Sequence, residues 1–82
     1  MSISLRPVAS EKAVKLMDVE NTLVFETGRT ARKEQIKAEI EKLFDVKVAK
    51  IRTLMRTNRK FAYVKLVAKN PAADLATKLG MI

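Results

Sequence analysis

Hydrophobic and polar positions along the chain switch between a period of two and a period near 3.6. Ile3 and Leu5 alternate with Ser2, Ser4 and Arg6, which predicts a short strand closed by Pro7. Ser10 can then cap a helix whose first residue, Glu11, suits the positive end of the helix dipole, and Ala13, Val14 and Met17 follow at helical spacing. Asn21 to Thr27 predicts a second strand, its Leu23-Val24-Phe25 run marking burial on both faces; Gly28 ends it. From Thr30 as N-cap to Phe44 runs the strongest helical pattern, with Ile36, Ile40, Leu43 and Phe44 at i, i+4, i+7 and i+8.

The second half predicts a hairpin and a closing helix. Val46 to Arg56 puts Ala49, Ile51 and Met55 on one face and Lys50, Arg52 and Arg56 on the other. Thr57-Asn58-Arg59 makes a tight turn in which Asn58 takes a positive φ. In Lys60 to Val67, Ala62, Val64 and Leu66 share one face while Phe61, Tyr63 and Lys65 share the opposite one. Asn70 as N-cap, Pro71 at the first helical position, Leu75 and Leu79 one turn apart and Gly80 as C′ residue define the last helix. The order β-α-β-α-β-β-α over residues 1–82 is that of a single small α/β domain of the α+β kind, a mainly antiparallel sheet packed with helices.

Charge adds what periodicity does not show. The chain carries 17 Lys and Arg against 9 Asp and Glu, a formal net charge of +8. The excess is local: Val46 to Lys65 holds Lys47, Lys50, Arg52, Arg56, Arg59, Lys60 and Lys65 and no Asp or Glu, whereas residues 1–28 lean acidic. Like charges held on paired strands repel, and a polyanion laid across them removes the repulsion. Nucleic acid is therefore the first partner to consider; a solvated basic surface that only aids solubility is the alternative.

Composition excludes several classes. There is no Cys and no His, which removes disulfides, thiolate metal sites, the commonest general base and the commonest transition-metal ligand. Only Gly28 and Gly80 are glycines, so there is no Gly-rich phosphate loop. Glu39 and Glu41 lie on different faces of one helix, and no Ser, Thr or Lys stands beside an evident base; no enzyme, cofactor, metal or small-molecule substrate is expected. No apolar run approaches the roughly 20 residues of a membrane helix, and no signal-peptide core is present, so neither membrane insertion nor export is expected.

The hairpin carries the candidate chemistry. If its two non-core faces coincide, Lys50, Arg52 and Arg56 stand beside Phe61, Tyr63 and Lys65, so that cations can hold phosphates and rings can pack on bases or riboses. A helix laid over that face would instead make Phe61 and Tyr63 core, with Arg56, Arg59 and Lys60 still outside. On the long helix, Arg32 and Lys33 in the first turn oppose the dipole, and Lys33 with Lys37 forms a like-charged i, i+4 pair; a bound phosphate would reverse both costs, though Lys33 also reads as ordinary helix surface.

These residues carry a family resemblance. Ser10-Glu11-Lys12-Ala13, Asn21-Thr22-Leu23-Val24-Phe25, Lys33 with Ile36-Lys37, the run from Glu41 to Val48, Thr53-Leu54, and Lys60 with Ala62-Tyr63-Val64-Lys65-Leu66 stand in an order that covers almost the whole chain. In that order the chain resembles the large-subunit ribosomal protein numbered twenty-three, the universal protein beside the polypeptide exit tunnel. The resemblance implies a cytoplasmic, ribosome-bound structural protein whose partners are large-subunit ribosomal RNA, neighbouring ribosomal proteins, and signal recognition particle or nascent-chain-associated factors. Carried over by position, the Lys33/Lys37 helix face, Thr53-Leu54 and the Lys60 to Lys65 strand correspond to segments against RNA, and Ser10-Glu11-Lys12 to the segment that docks a ribosome-associated chaperone in bacterial relatives. Two departures stand out. The tight turn replaces the long tunnel-reaching loop of bacterial members, which makes the chain similar to the archaeal type, and Arg52 stands where many relatives have Asn.

Taken together, the residues expected at RNA are Arg6, Lys12, Arg32, Lys33, Lys37, Lys50, Arg52, Thr53, Arg56, Arg59, Lys60, Tyr63 and Lys65. Those expected at a protein partner are Ser10, Glu11 and Lys15, with Glu11 facing away from RNA. A protein-interaction module working through the first helix, or a free-standing chromatin or translational regulator using the same basic face, are the alternatives.

Overall fold

Each predicted element forms, in the predicted order. The computed structural model describes residues 5–78. Along them run β1 (Leu5–Pro7), α1 (Glu11–Glu20), β2 (Thr22–Thr27), α2 (Lys33–Phe44), β3 (Val48–Arg56), β4 (Arg59–Leu66) and α3 (Ala72–Lys78). The strands pair antiparallel in the order β1-β2-β4-β3, giving the expected α+β domain. Ile3, Leu79 and Gly80, to which strand, helix and cap roles were assigned, lie outside the described residues.

Register decides which side chains share a face. Leu23 pairs with Val64 and Phe25 with Ala62 across β2 and β4, while Ile51 and Thr53 of β3 oppose Val64 and Ala62 from the other side. This face is covered: Ile36 and Ile40 of α2 and Ala72, Leu75 and Ala76 of α3 close over Leu23, Phe25, Ala62, Val64 and Leu66 in one buried cluster. Removing a Leu, Ile or Phe side chain from water is worth about 1.5–3 kcal/mol, so this layer supplies most of the driving force. The opposite face carries Val24, Glu26, Phe61, Tyr63, Lys65, Lys50, Arg52, Leu54 and Arg56, and neither α2 nor α3 contributes to it.

Several local details differ from the sequence reading. Residues 28–31 form a turn closed by the Ala31 amide on the Gly28 carbonyl at 3.2 Å, which takes up Thr30. Helix α2 accordingly has Arg32, not Thr30, at its N-cap, where the Arg32 amide donates to Gln35 Oε1 at 2.9 Å. Leu43 is 60% exposed because the chain leaves α2 through a left-handed Asp45, and Phe44 and Val46 pack against the core in its place. Val48 is buried and Ile51 packs on the same core, although they stand three positions apart, an odd spacing that regular alternation would put on opposite faces; a register irregularity between Val48 and Lys50 absorbs the extra residue and leaves Ala49 exposed.

Asn21 is not the start of β2 but the left-handed C-cap of α1, with φ 52°. Its Nδ2, with two N–H groups, lies within hydrogen-bond distance of the carbonyls of Leu66 (3.1 Å), Val67 (3.2 Å) and Asn70 (3.2 Å), so that one N–H is shared between two of them, and its Oδ1 accepts from the Ala72 amide at 2.6 Å. One side chain thus joins the end of α1 to the end of β4 and supplies the acceptor at the start of α3. Asn70 does not cap α3; its Oδ1 accepts from the Lys47 amide at 2.9 Å. Pro71 lies just before the helix, which begins at Ala72.

The hairpin turn is tighter than expected. Arg56 pairs directly with Arg59, so Thr57 and Asn58 alone make the connection, at φ 51° and 62°. Two positive φ values are what a twisted two-residue hairpin demands, and a β-branched residue meets that demand poorly. Thr57→Asn is expected to raise stability by about 1 kcal/mol in urea unfolding, through relief of that strain; an unchanged or lower midpoint would show that Thr57 is at ease there.

Candidate nucleic-acid interface

The open sheet face is built by alternation and cross-strand register. Arg52 of β3 pairs with Tyr63 of β4, and its guanidinium carbon lies 5.7 Å from the Tyr63 ring centroid. An exposed cation over a ring contributes about 0.5–1 kcal/mol, enough to bias Arg52 toward this position while leaving its N–H groups free to donate. Lys50 and Lys65 stand directly opposite each other on the same face, both exposed. Like charges in that position are destabilising, and no carboxylate is paired with either among the described residues. Lys50, Arg52, Tyr63 and Lys65 line one cavity of about 180 Å³ together with Glu20 and Thr22.

The basic surface turns the corner at the β3 edge. Lys33 and Lys37 of α2 share a cleft of about 220 Å³ with Lys50, Val48, Ala49 and Ile51, where Glu34 is the one acid against three lysines. Cations that looked independent in sequence, on a helix and on a strand, therefore form one band from Lys65 through Lys50 to Lys37 and Lys33. Phosphates spaced along a nucleic-acid backbone match such a band better than any single small anion.

Not every expected RNA contact lies on it. Lys60 pairs with Met55 on the covered side of the sheet, and its Nζ donates to the Ala31 carbonyl at 2.6 Å, so its charge is committed to the loop before α2. Thr53 opposes Ala62 and also points to the covered side. Arg32 sits at the α2 N-cap. Arg59 reaches Glu26 at 3.8 Å, a pair too exposed to matter much for stability. Arg6 pairs with Glu26 at the β1 edge of the open face, and Arg56 and Lys12 border a groove beside α1.

The first turn of α1 is organised as its sequence implies. Ser10 Oγ accepts from the Ala13 amide at 3.2 Å, Glu11 opens the helix, and Lys15 follows it at i+4, the favourable order for an ion pair. Ser10 and Lys12 line the groove with Leu54, Arg56 and Phe61, so this turn adjoins the open face, while Glu11 is exposed and is not part of the groove's lining.

Sequence reasoning missed two contributors. Asn21 reads by its neighbours as a strand residue, although an Asn between a helical run and a strand signals a left-handed cap. Glu41 offers no capping signal in the sequence, yet its Oε2 accepts from the Val48 amide at 2.9 Å and fixes where β3 leaves the α2 loop. The described residues contain no cluster of three or more His, Cys, Asp or Glu that could hold a metal, and no helix among them is long and apolar enough to cross a membrane.

A small antiparallel sheet with one face under α2 and α3 and the other basic and partly walled by α1 makes this an α+β domain. Residues 2–73 match the sequence profile of the family described as Ribosomal protein L23. The chain is 43% identical over 82 residues to the large ribosomal subunit protein uL23 of Tetrahymena thermophila, covering 99% of this chain and 55% of that protein. Over 81 residues it is also 43% identical to the uL23 of Cyberlindnera jadinii, covering 98% of this chain and 57% of that protein. The chain belongs to the ribosomal protein L23 family, one of structural ribosomal components and not of enzymes. It spans little more than half the length of these curated relatives.

Proposed function

We propose that the chain is a structural constituent of the large ribosomal subunit in the cytoplasm, holding ribosomal RNA near the polypeptide exit tunnel on its open sheet face and β3 edge. The observation that carries this reading is the directly opposed, unpaired Lys50 and Lys65 beside the stacked Arg52 and Tyr63, on the one sheet face that α2 and α3 leave open. Cations neutralise phosphates and fix position, and the folded shape of the RNA supplies the choice of site. With Thr57 and Asn58 as the whole connection between β3 and β4, the reading includes no tunnel-lining loop. Co-sedimentation with large subunits tests it: the chain is expected to travel with them, and ultraviolet cross-linking to place RNA on Tyr63. A chain that binds free nucleic acid but never enters large subunits would be a regulator instead.

The exposed first turn of α1 supports a second role, docking of signal recognition particle or a nascent-chain-associated factor through Ser10, Glu11 and Lys15. A rim charge mainly tunes association. Glu11→Lys is therefore expected to slow factor binding to ribosomes, with the loss shrinking at high salt and incorporation into the subunit unchanged. Its cost to the helix end is about 0.3–1 kcal/mol, which a melt of the chain measures separately. Normal recruitment by ribosomes carrying the substitution would leave Glu11 with only its helix-end role.

A further inference from the structure

Beside the phosphate-holding cations, the open face carries a groove whose lining is mostly apolar. It measures about 280 Å³ and runs between α1 and the sheet, with Leu16, Val24, Leu54 and Phe61 in its walls. Ligand pockets for drug-sized molecules begin near 300 Å³, so this one suits a single planar ring system and little more. Its only charged lining groups are Lys12 from α1 and Arg56 from β3, and neither has a carboxylate partner among the described residues. Tyr63 lines this groove and also the cavity formed by Lys50, Arg52 and Lys65 with Thr22 and Glu20, three cations against one carboxylate.

From this juxtaposition we infer that the groove receives one unstacked base of the bound RNA. The inference rests on the RNA reading of the open face. An extruded nucleotide presents a flat apolar ring with an anion on either side of it. Phe61 and Tyr63 offer faces for stacking, Val24 and Leu16 exclude water behind the ring, and Lys12 and Arg56 meet one flanking phosphate. The other flanking phosphate falls to Arg52 and Lys65 across Tyr63. An acidic peptide with a large apolar side chain would also satisfy the rim and the walls, but two aromatic rings lining a groove of this size, Phe61 and Tyr63, suit a flat base better than an aliphatic side chain.

Two measurements test the assignment on the intact chain. Adenosine monophosphate is expected to shift the amide resonances of Ala13, Leu16, Phe61 and Tyr63, whereas a short Asp-Leu peptide is not. Each unpaired nucleotide of the large-subunit RNA fragment that the chain protects is then replaced in turn by an abasic residue. One position is expected to cost about tenfold or more in affinity with the native chain and little further with Phe61→Leu, because base and ring share one stacking interaction. Lys12→Ala, at an exposed position, should lower affinity for every fragment that retains that nucleotide even if Phe61→Leu folds poorly. If no abasic position couples to Phe61 while binding stays salt-dependent, the groove is not a base site and the RNA face stands. Loss of salt dependence itself would sink both. Groove shifts with the peptide alone would assign it to a protein partner.

Discussion

Replacing Lys50, Arg52 and Lys65 together by Ala is expected to weaken binding of the ribosomal RNA fragment roughly a hundredfold near physiological salt, and to flatten its salt dependence. About five cations of the band at phosphates give a slope of log affinity against log salt of roughly −3.5 to −4.5, and each phosphate contact removed takes about one from it. Stability should barely move. The substitution removes a like-charged cross-strand pair, which favours the fold, and one exposed cation–ring contact, which opposes it by about 0.5–1 kcal/mol. Lys60→Ala is the contrasting control: its Nζ is bonded to the Ala31 carbonyl, so it should cost stability while leaving the slope almost unchanged. A triple variant that folds and keeps the native slope would remove the open face from RNA binding. A flattened slope with Lys60→Ala alone would show that the covered-side lysine reaches RNA after all.

The largest effect on stability is expected at Asn21. Asn21→Ala removes both side-chain N–H donors, which serve three carbonyls, and one accepted bond, and it also places a side chain poorly suited to positive φ at 52°. A polar group left without its partner costs about 1–3 kcal/mol, and the Ala72 amide at the start of α3 is the group least able to find another. Loss of about 3 kcal/mol is expected, a large share of the 5–15 kcal/mol typical of a domain. Asn21→Gly should lose less, because the left-handed backbone is retained. Asn21→Asp should lose most, because a carboxylate then faces the carbonyls of Leu66, Val67 and Asn70. Urea midpoints in the order native, Gly, Ala, Asp are the expected result. A Gly variant as stable as the native chain would mean that the side-chain bonds contribute nothing net.

Most elements were legible because each carries its own period and punctuation. Ser10 capping α1, the Ile36–Ile40 stripe of α2 and the apolar alternation of Ala62, Val64 and Leu66 need no distant partner to be recognised. The interleaving of Lys50, Arg52 and Arg56 with Phe61, Tyr63 and Lys65 is legible only on condition that the two non-core faces coincide, and it is the two-residue turn, with Arg56 paired to Arg59, that fixes the register and makes them do so. Failures cluster where a backbone group is satisfied from far along the chain. Asn70 has the sequence of an N-cap, yet Asn21, 51 residues before Ala72, supplies the acceptor there. Thr30 has the sequence of a cap as well, but a turn consumes it.

By itself, then, the sequence determined the seven elements, the covered apolar face and the existence of a cationic, aromatic strand face, because these follow from side-chain period, which is a local property. Only the tertiary structure decided that α2 and α3 both lie on the same side, so that the other face stays open, that Lys60 is turned under the sheet while Lys50 meets Lys33 and Lys37 at the β3 edge, and that α1 walls a groove beside Tyr63. Those outcomes depend on strand order and on which helix packs where, and nothing in a local period encodes either: the same alternating strand is equally consistent with a helix above it or with solvent.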